Sequence, residues 1–489
     1  MKNILVITLY ITCFTICGQE KLTQFKNTLS FSNSNLKDIY TLVNDQNDFF
    51  SIFITDAKSV SVYNFDNNFS IKDKKLFKNK RRKYKDIIGY SILENGDYKL
   101  YLKNKKNDFL EIHFDMGKKN STAKEFKLLT DYETYLQSIT INNQFYLISS
   151  SKDVNGLYFY TFNEGKPKRN KIDLSKFEFL SYSGQKEDFM PILMKSLPLL
   201  KFDKNTPTSI EASSKKQKLY VQGETVIFTL NNNSEYTQFL KVDLKTFIAS
   251  SFKLKTPLKE IKRRKKQSNS YLIDNNLFTV TLSKERFNFR ITDLTNKEIK
   301  KEFLVSKTDT IQFKNSPIEI GTSTYRKYNE LKKTKKFFST MNYAKPAINV
   351  QFNNNKYYVV IGGSLGPVVK GYSGSGDNSL SIGKSFSSSD NINYNFHGYM
   401  SSSDFKFIKF SSVLSKKLSH LKNEKTTNVF GKIKDYLDQK KSKLELSDLL
   451  GIPIKKYNTS NAVFKYKDFY IYIDYNKKEK SFELLKFTN

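Results

Sequence analysis

The chain has 489 residues and a formal net charge of +34, from 82 basic and 48 acidic side chains. Its two cysteines, Cys13 and Cys17, both lie near the N-terminus. This excludes a disulfide-stapled fold and a Cys-based metal centre, and a chain of this length can bury a sufficient core without them. Phe and Tyr are abundant, with 41 and 30 copies, which favours strands over helices.

Residues 1–18 have the pattern of a bacterial signal peptide. Lys2 supplies a positive charge, residues 4–16 are uncharged and mostly apolar, and Cys17-Gly18 offers small residues for cleavage. A helix over the apolar stretch spans about 20 Å, which is shorter than the roughly 30 Å hydrocarbon core of a bilayer. We therefore predict an extracytoplasmic protein without a transmembrane span in its mature chain. In an alternative reading Cys17 carries a lipid and tethers the protein to a membrane.

The positive charge has a different meaning in an exported protein than in a cytoplasmic one. A cytoplasmic chain with this surplus would first indicate nucleic acid as the partner. Export makes nucleic acid an unexpected partner, so the sequence favours an acidic polysaccharide or an acidic protein. The alternative is a lysine-rich composition inherited from an AT-rich genome. Nothing in the composition indicates a cofactor.

Residues 19–489 repeat one unit: an apolar strand, a short turn rich in Asn, Asp, Gly and Lys, and an alternating aromatic strand. Turn residues between two period-two runs are typical of β-hairpins. In the better preserved copies a third strand follows, and sometimes a fourth. The copies begin at Ile39, Ile87, Leu136, Ser209, Ser270, Ile348 and Ala462.

Units of this length with three or four antiparallel strands predict an all-β fold, a β-propeller of six or seven blades. The final unit ends after three strands, and KLTQFKNTLSFS at residues 21–32 is suited to supply its outer strand and close the ring. The structural alternative is a set of stacked β-sandwich domains.

Two segments interrupt the repeat. Residues 362–404 form a Gly/Ser-rich insertion. Over residues 427–450 the apolar period becomes helical, and Thr427 or Asn428 is placed to cap an amphipathic helix that Gly451 would end. One face of that helix carries Val429, Phe430, Ile433, Tyr436 and Leu437, and Leu444, Leu449 and Leu450 extend it.

Candidate catalytic residues are few. His397 lies at the end of the insertion between Tyr394 and Tyr399, where it would serve as a general acid or base on a loop. His113 lies inside a predicted strand and His420 at a lysine-rich turn, which indicates structural and solvated roles. The histidines do not share a metal-ligand spacing, so no metal site is predicted.

Basic runs are the strongest binding signal. KNKRRK contains Lys80, Arg81, Arg82 and Lys83 before the second unit, and KRRKK contains Lys262, Arg263, Arg264 and Lys265 before the fifth. Their matching offsets predict inter-blade loops of one type on one face of the ring. A third run, KKTKK at residues 332–336, precedes the sixth unit. Such a face would bind polyanions, with Arg adding bidentate contacts to carboxylate or sulfate.

The sequence thus favours an exported, non-enzymatic binding or scaffold protein that displays basic inter-blade loops to acidic polymers or acidic proteins. The alternative is a lyase or hydrolase acting on an acidic glycan, with His397, Tyr394 and Tyr399 as its catalytic residues. Lyase chemistry on uronic acids suits a Tyr/His pair beside a cation that neutralises the carboxylate.

Overall fold

The structure is a computed structural model of the whole chain. It describes residues 19–26, 38–44, 49–118, 120–151, 153–162, 167–195, 197–206, 208–322, 329–367, 405–449, 461–476 and 479–488. Cys17, His397, Tyr394 and Tyr399 lie outside the described residues.

Four of the sheets are four-stranded antiparallel blades whose strands pair in chain order from inside to outside. Blade 1 contains β2 (Asp38–Asn44), β3 (Phe49–Thr55), β4 (Val60–Phe65) and β5 (Ile71–Phe77). Blade 2 contains β6 (Asp86–Ile92), β7 (Tyr98–Lys103), β8 (Asp108–Phe114) and β9 (Ser121–Lys127). Blade 3 contains β10 (Glu133–Ile141), β11 (Gln144–Ser151), β12 (Gly156–Thr161) and β13 (Lys168–Asp173). Blade 5 contains β21 (Lys266–Ile273), β22 (Asn276–Ser283), β23 (Arg286–Asp293) and β24 (Ile299–Ser306).

Blade 4 has five strands and follows a longer connection. That connection contains the hairpin β14 (Phe179–Leu180) and β15 (Lys186–Glu187), then helix α1 (Phe189–Met194). The blade itself contains β16 (Leu200–Phe202), β17 (Gln217–Gln222), β18 (Thr225–Leu230), β19 (Tyr236–Asp243) and β20 (Ala249–Lys255). β16 lies innermost and pairs with β17 in parallel, and helix α2 (Ile210–Ser213) separates the two strands along the chain.

Blade 6 also has five strands, in the order β26-β25-β29-β28-β27. Its outer hairpin comes first along the chain, as β25 (Ile318–Thr322) and β26 (Asn329–Leu331), followed by helix α3 (Thr334–Met341). The three inner strands then follow as β27 (Lys345–Asn353), β28 (Lys356–Pro367) and β29 (Phe405–Ser415).

Blade 7 closes the ring. It combines β30 (Ala462–Tyr466), β31 (Phe469–Asn476) and β32 (Ser481–Phe487) with β1 (Gln19–Lys26) as its outer strand. β1 pairs antiparallel with β32, from Gln19 opposite Phe487 to Lys26 opposite Ser481. The expected closure by the leading segment is therefore confirmed, and the chain is a seven-bladed β-propeller.

Apolar contacts between neighbouring blades form the core. Separate buried clusters join blades 7 and 1, blades 1 and 2, blades 2 and 3, and blades 3 and 4, and a larger cluster spans blades 4 to 6. A strand in the middle of a blade is covered on each face by a neighbouring blade. This explains why FFSIFIT in β3 is buried at almost every position. Both faces are packed there, so the alternation of buried and exposed positions expected of a half-exposed strand is absent.

The seven inner strands start on one face of the ring, which we call the entry face. The four-stranded blades repeat the same antiparallel order, so their outer-to-inner connections and the turns between second and third strands lie on this face. Blade 6 differs, because its extra strand β26 runs antiparallel to β25 and away from this face, and α3 then leads back to β27. A contact between two such loops in blade 1 agrees with this, since the Lys80 amide donates to the Lys58 carbonyl oxygen at 2.7 Å.

The central opening is crossed by residues 200–206 and 208–214. β16 lies inside the inner strand of blade 4, and the residues after it reach blades 6 and 7. Asn349 in β27 donates through Nδ2 to the Thr208 carbonyl oxygen at 2.8 Å, and the Tyr470 hydroxyl donates to the Asn205 carbonyl oxygen at 3.0 Å. The segment therefore fills space that an open propeller channel would leave to solvent.

Two details of the sequence interpretation were wrong. The unit expected to begin with a strand at Ser209 begins with helix α2, because the Ser209 hydroxyl accepts from the Ala212 amide and caps the helix. The insertion starts later than Gly362, since Gly362 and Gly363 belong to β28. A Cβ on Gly362 would lie 1.9 Å from the Ile408 carbonyl oxygen in β29, so close strand packing requires glycine there.

The amphipathic helix forms as α4 (Val429–Leu449). The Asn428 side-chain oxygen accepts from the amides of Phe430 and Gly431 and so caps it. Its apolar face packs on blade 7, where Val429, Phe430 and Ile433 contact the buried side of β31 and β32. The side chains of Leu444, Leu449 and Leu450 lie outside the described residues. In the described part of the chain, no helix has both the length and the hydropathy that a bilayer span requires.

Candidate functional site

The first basic run lies in the connection from β5 to β6, on the entry face between blades 1 and 2. Lys80 does not meet the expectation of a ligand-facing residue, because its side chain is 4% exposed. Its Nζ donates to the Tyr84 carbonyl oxygen at 2.7 Å, and burial lowers the pKa of Lys80 to about 8. Lys80 is thus part of the structure of the loop.

Two other members of this run are held by a carboxylate of the same blade. Arg81 and Lys83 lie 3.1 and 3.2 Å from the Glu125 carboxylate in β9, and the Tyr84 hydroxyl donates to it at 2.9 Å. Burial alone would raise the pKa of Glu125, but the hydrogen bonds from Tyr84 and Lys83 lower it. Arg82 is exposed. Intramolecular ion pairs therefore neutralise much of the positive charge of the first run.

The second run forms a short 3-10 helix, Arg263–Lys265, in the connection from blade 4 to blade 5. Lys262, Arg264 and Lys265 are exposed. Arg263 is half-buried and lies over Gly184 in the turn of the β14–β15 hairpin, and the Ser234 hydroxyl donates to the Arg263 carbonyl oxygen at 2.8 Å. Arg263 therefore anchors the loop while its neighbours face solvent.

The third run enters helix α3 and is not a loop throughout. Phe337, Phe338 and Met341 bury one side of the helix. The opposite side and the preceding residues expose Lys332, Lys333, Lys335 and Lys336. The first turn of α3 has no acidic residue, and within the described residues none of these four lysines has a carboxylate at salt-bridge distance.

The residues that follow the second run contact α3 at the junction between blades 5 and 6. Gln267, directly after the second run, donates through Nε2 to the Asn342 carbonyl oxygen at the end of α3, at 3.5 Å. Phe287 of blade 5 packs edge-on against Phe337 of α3, with ring centroids 6.0 Å apart. We call the exposed cations of the second and third runs the junction surface; they are Lys262, Arg264, Lys265, Lys332, Lys333, Lys335 and Lys336.

The first run does not join this surface. It precedes blade 2, which lies three blades from blade 5 along the ring. The first and second runs lie in connections between blades on the entry face, whereas the third lies within blade 6, between β26 and β27. The structure divides the runs into the junction surface and a separate, more strongly paired site at blade 2.

Two exposed tyrosines flank the junction surface and were missed in the sequence. Tyr343 follows α3 and is 88% exposed, and Tyr182 lies at the tip of the β14–β15 hairpin and is 61% exposed. Asn232 and Asn233 of blade 4 hold that hairpin by donating to the carbonyl oxygens of Leu180 and Ser181. Only the tertiary structure brings these residues beside the basic runs, so the sequence carried no local signal for them.

The three histidines differ in how the structure bears on the roles predicted for them. His113 lies 2.9 Å from the Asp97 carboxylate in blade 2, in the structural role expected of it. The expectation of a solvated His420 was wrong, because it is half-buried and lies 2.9 Å from the Asn315 side-chain oxygen. His397, Tyr394 and Tyr399 lie in residues 368–404, which connect the described ends of β28 and β29 on the entry face. Among the described residues, no group of three or more His, Cys, Asp or Glu side chains is placed to hold a metal ion.

Comparison with known proteins yields similarity of structure only. No family model matches the chain, and no curated protein matches it in sequence. The Cps50 (Swd1) β-propeller domain of Myceliophteria thermophila has 8% identity and a TM-score of 0.34, over 96% of this chain and 99% of that domain. The Nup133 β-propeller domain of Vanderwaltozyma polyspora has 11% identity and a TM-score of 0.32, over 96% of this chain and 98% of that domain. The WD40 domain of SCAP from fission yeast has 9% identity and a TM-score of 0.30, over 96% of this chain and 91% of that domain. Scores this low carry no inference about function, and the propeller assignment rests on the sheet topology of the chain itself.

Proposed function

We propose that this protein is an exported, non-enzymatic propeller that binds acidic polysaccharide on its entry face, with the junction surface as the main contact. Cleavage of the predicted signal peptide after Gly18 is compatible with the fold, because β1 begins at Gln19. The ring therefore keeps its closing strand in the mature protein.

The arrangement of lysines around the start of α3 is the observation that carries this proposal. A helix N-terminus has a partial positive charge and is stabilised by nearby carboxylates. Here Lys332, Lys333, Lys335 and Lys336 surround it, without an acidic residue in the first turn. These charges repel one another and the helix dipole. A bound polyanion would neutralise these charges, and the loss of their mutual repulsion favours its binding.

The flanking tyrosines favour a sugar polymer among the anionic partners. Tyr182 and Tyr343 are exposed, the first on the hairpin that Arg263 contacts and the second directly after α3. Aromatic faces suit the apolar faces of pyranose rings, while lysine and arginine suit the carboxylates or sulfates that the rings carry. A partner that offers both groups in repeat is an acidic polysaccharide.

The test is binding of polygalacturonate to the purified mature protein at several salt concentrations. We expect binding that weakens as salt rises, because exposed charges are screened within about 10 Å at 0.1 M salt. Replacement of Lys262, Arg264 and Lys265 together by Gln should weaken binding about tenfold or more at low salt, since several contacts of up to roughly 1 kcal/mol each are lost.

A matched control removes three positive charges from turns on the opposite face. Lys118, Lys297 and Lys467 are exposed there, in connections of blades 2, 5 and 7. Their replacement by Gln should leave affinity within about twofold, apart from the general change in net charge. Equal losses in the two variants would contradict a specific site, and shortening of the polymer by the protein would overturn the non-enzymatic view.

A further inference from the structure

A separate cavity of about 520 Å³ opens on the entry face of blade 2. It lies between the connection that leads into β6 and the turn between β7 and β8. We call it the blade 2 pocket; its lining includes Lys83, Lys85, Lys105 and Lys106. Its volume falls within the usual range for small-molecule sites and is much larger than an inorganic ion needs.

Internal pairing neutralises the carboxylates of the pocket but leaves three of its lysines available. Asp86 lies 3.7 Å from the Lys103 ammonium, and Asp108 lies 3.5 Å from the Lys83 ammonium. Hydrogen bonding from the Asn104 side chain is the main cause that lowers the pKa of Asp108. Lys85, Lys105 and Lys106 are exposed, and no described carboxylate lies at salt-bridge distance from them.

The turn that carries two of these lysines is rigidly built. Asn104 is 6% exposed, and its side-chain oxygen accepts from the Lys106 amide at 2.8 Å and the Asp108 amide at 2.9 Å. Asn107 adopts a φ of 59°, which Asn tolerates better than most residues. The backbone beneath Lys105 and Lys106 is therefore fixed before any ligand arrives, and this lowers the entropy cost of binding.

We propose that the blade 2 pocket binds a monosaccharide-sized sugar that carries a carboxylate or phosphate group. Lys85, Lys105 and Lys106 contact the oxyanion from two loops. Asn104 and the two aspartates lie on the wall, where the free acceptor positions of the carboxylates suit sugar hydroxyls. This site is independent of the junction surface and does not require that the proposed polymer binding be correct.

Calorimetric titration of the full mature protein with four probes tests the proposal: glucuronate, glucose 6-phosphate, glucose and inorganic phosphate. We expect at least one of the two anionic sugars to bind at least about tenfold more tightly than glucose and inorganic phosphate, because only these sugars satisfy both the cations and the acceptors. Whichever of the two binds more tightly identifies carboxylate or phosphate as the preferred group.

Two triple variants with the same charge change locate the site. Replacement of Lys85, Lys105 and Lys106 by Gln should weaken the anionic sugar about tenfold or more, and replacement of Lys262, Arg264 and Lys265 should leave it within about twofold. Polymer binding should show the opposite dependence on these variants. The proposal is overturned if neither anionic sugar binds the wild type, if glucose binds as tightly, or if both variants lose affinity equally.

Discussion

At the residue scale, buried lysines distinguish this protein more than its exposed ones do. Lys218 in β17 is fully buried, and its Nζ donates to the Asn269 side-chain oxygen and to the Ser270 carbonyl oxygen of blade 5. No described carboxylate lies at salt-bridge distance from it. Burial lowers the pKa of Lys218 well below its ordinary value. The amine thus links two inner strands at the cost of being poorly solvated when it is charged.

Replacement of Lys218 by Met should change the pH dependence of stability as well as its size. The folded state binds fewer protons at Lys218 than the unfolded state between the lowered pKa and 10.5, so wild-type stability rises with pH through that window. Met removes this rise and leaves two acceptors without a donor. The variant should therefore lose about 1–3 kcal/mol relative to the wild type near pH 9 and less at pH 6. Urea unfolding at the two pH values measures the difference.

Lys284 offers the matched control for that experiment. It is exposed in the turn between β22 and β23 of blade 5. Lys284→Met should change stability by less than about 0.5 kcal/mol at both pH values. A Lys218→Met variant whose destabilisation did not depend on pH would refute the assignment of a titrating buried amine.

At the element scale, the position of each strand along the chain decides how the ring is held together. β1 is the first described element but the outer strand of the last blade. Phe25 anchors it: the side chain is 7% exposed, and its ring centroid lies 4.7 Å from that of Tyr63, 5.3 Å from that of Phe65 and 5.5 Å from that of Phe482. One aromatic residue therefore joins blade 7 to blade 1.

Phe25→Ala should destabilise the protein by about 3–5 kcal/mol, because it removes a buried ring and leaves a cavity at the closure. It should also expose β1 to proteolysis before the rest of the chain, since a terminal strand that is poorly anchored opens locally. Urea unfolding gives the first quantity, and limited proteolysis followed by mass analysis of the N-terminus gives the second.

Phe303→Ala is the control variant. Phe303 lies on β24, the outer strand of blade 5, and packs against Phe289 and Phe313 away from the closure. It should lower stability without early cleavage of β1. If both variants released β1 to the same extent, the closure would not depend on Phe25.

Helix α2 shows how the pattern of a short segment can predict the wrong type of element. The letters SIEASS alternate apolar and polar residues and so resemble a strand, but Ser209 caps a helical turn and the residues cross the central opening. Hairpins with strong turns were easier to interpret. Asn142 and Asn143 both adopt positive φ between β10 and β11, as a tight hairpin turn requires, and this was visible in the letters INNQ.

At the scale of the whole molecule, titration of buried groups predicts an unusual pH optimum. Burial lowers the pKa of Lys80 to about 8 and also lowers those of Lys103, Lys218 and Lys266. It raises the pKa of Tyr475 to about 12, and those of many other core tyrosines rise as well, among them Tyr98, Tyr220, Tyr271, Tyr470 and Tyr472.

The two groups act in opposite directions. The lysines make stability rise with pH from about 8 toward 10.5, because the unfolded chain holds more protons there. The tyrosines make it fall above about pH 10, because the unfolded chain then loses protons that the folded chain keeps. Urea unfolding from pH 6 to pH 11 should therefore show a maximum between about pH 9 and pH 10. A maximum near pH 6 would contradict this account, and Lys80→Met should flatten the rise on the acidic side.

The sequence by itself determined the repeated β-hairpins, the β-propeller class, the closure by the leading segment and the amphipathic helix near residue 429. These depend on turn chemistry and on periods of two or 3.6 residues, which neighbouring letters record. It also placed the first two basic runs in one type of inter-blade connection. Only the tertiary structure decided that Lys80 is buried, that Glu125 pairs with Arg81 and Lys83, and that residues 200–206 and 208–214 cross the centre. It alone brought the β14–β15 hairpin beside Arg263, Gln267 beside the end of α3, and Lys85 into one pocket with Lys105. Those contacts join residues far apart in the chain, and the physical reason is that burial and charge pairing depend on which surfaces the closed ring brings together.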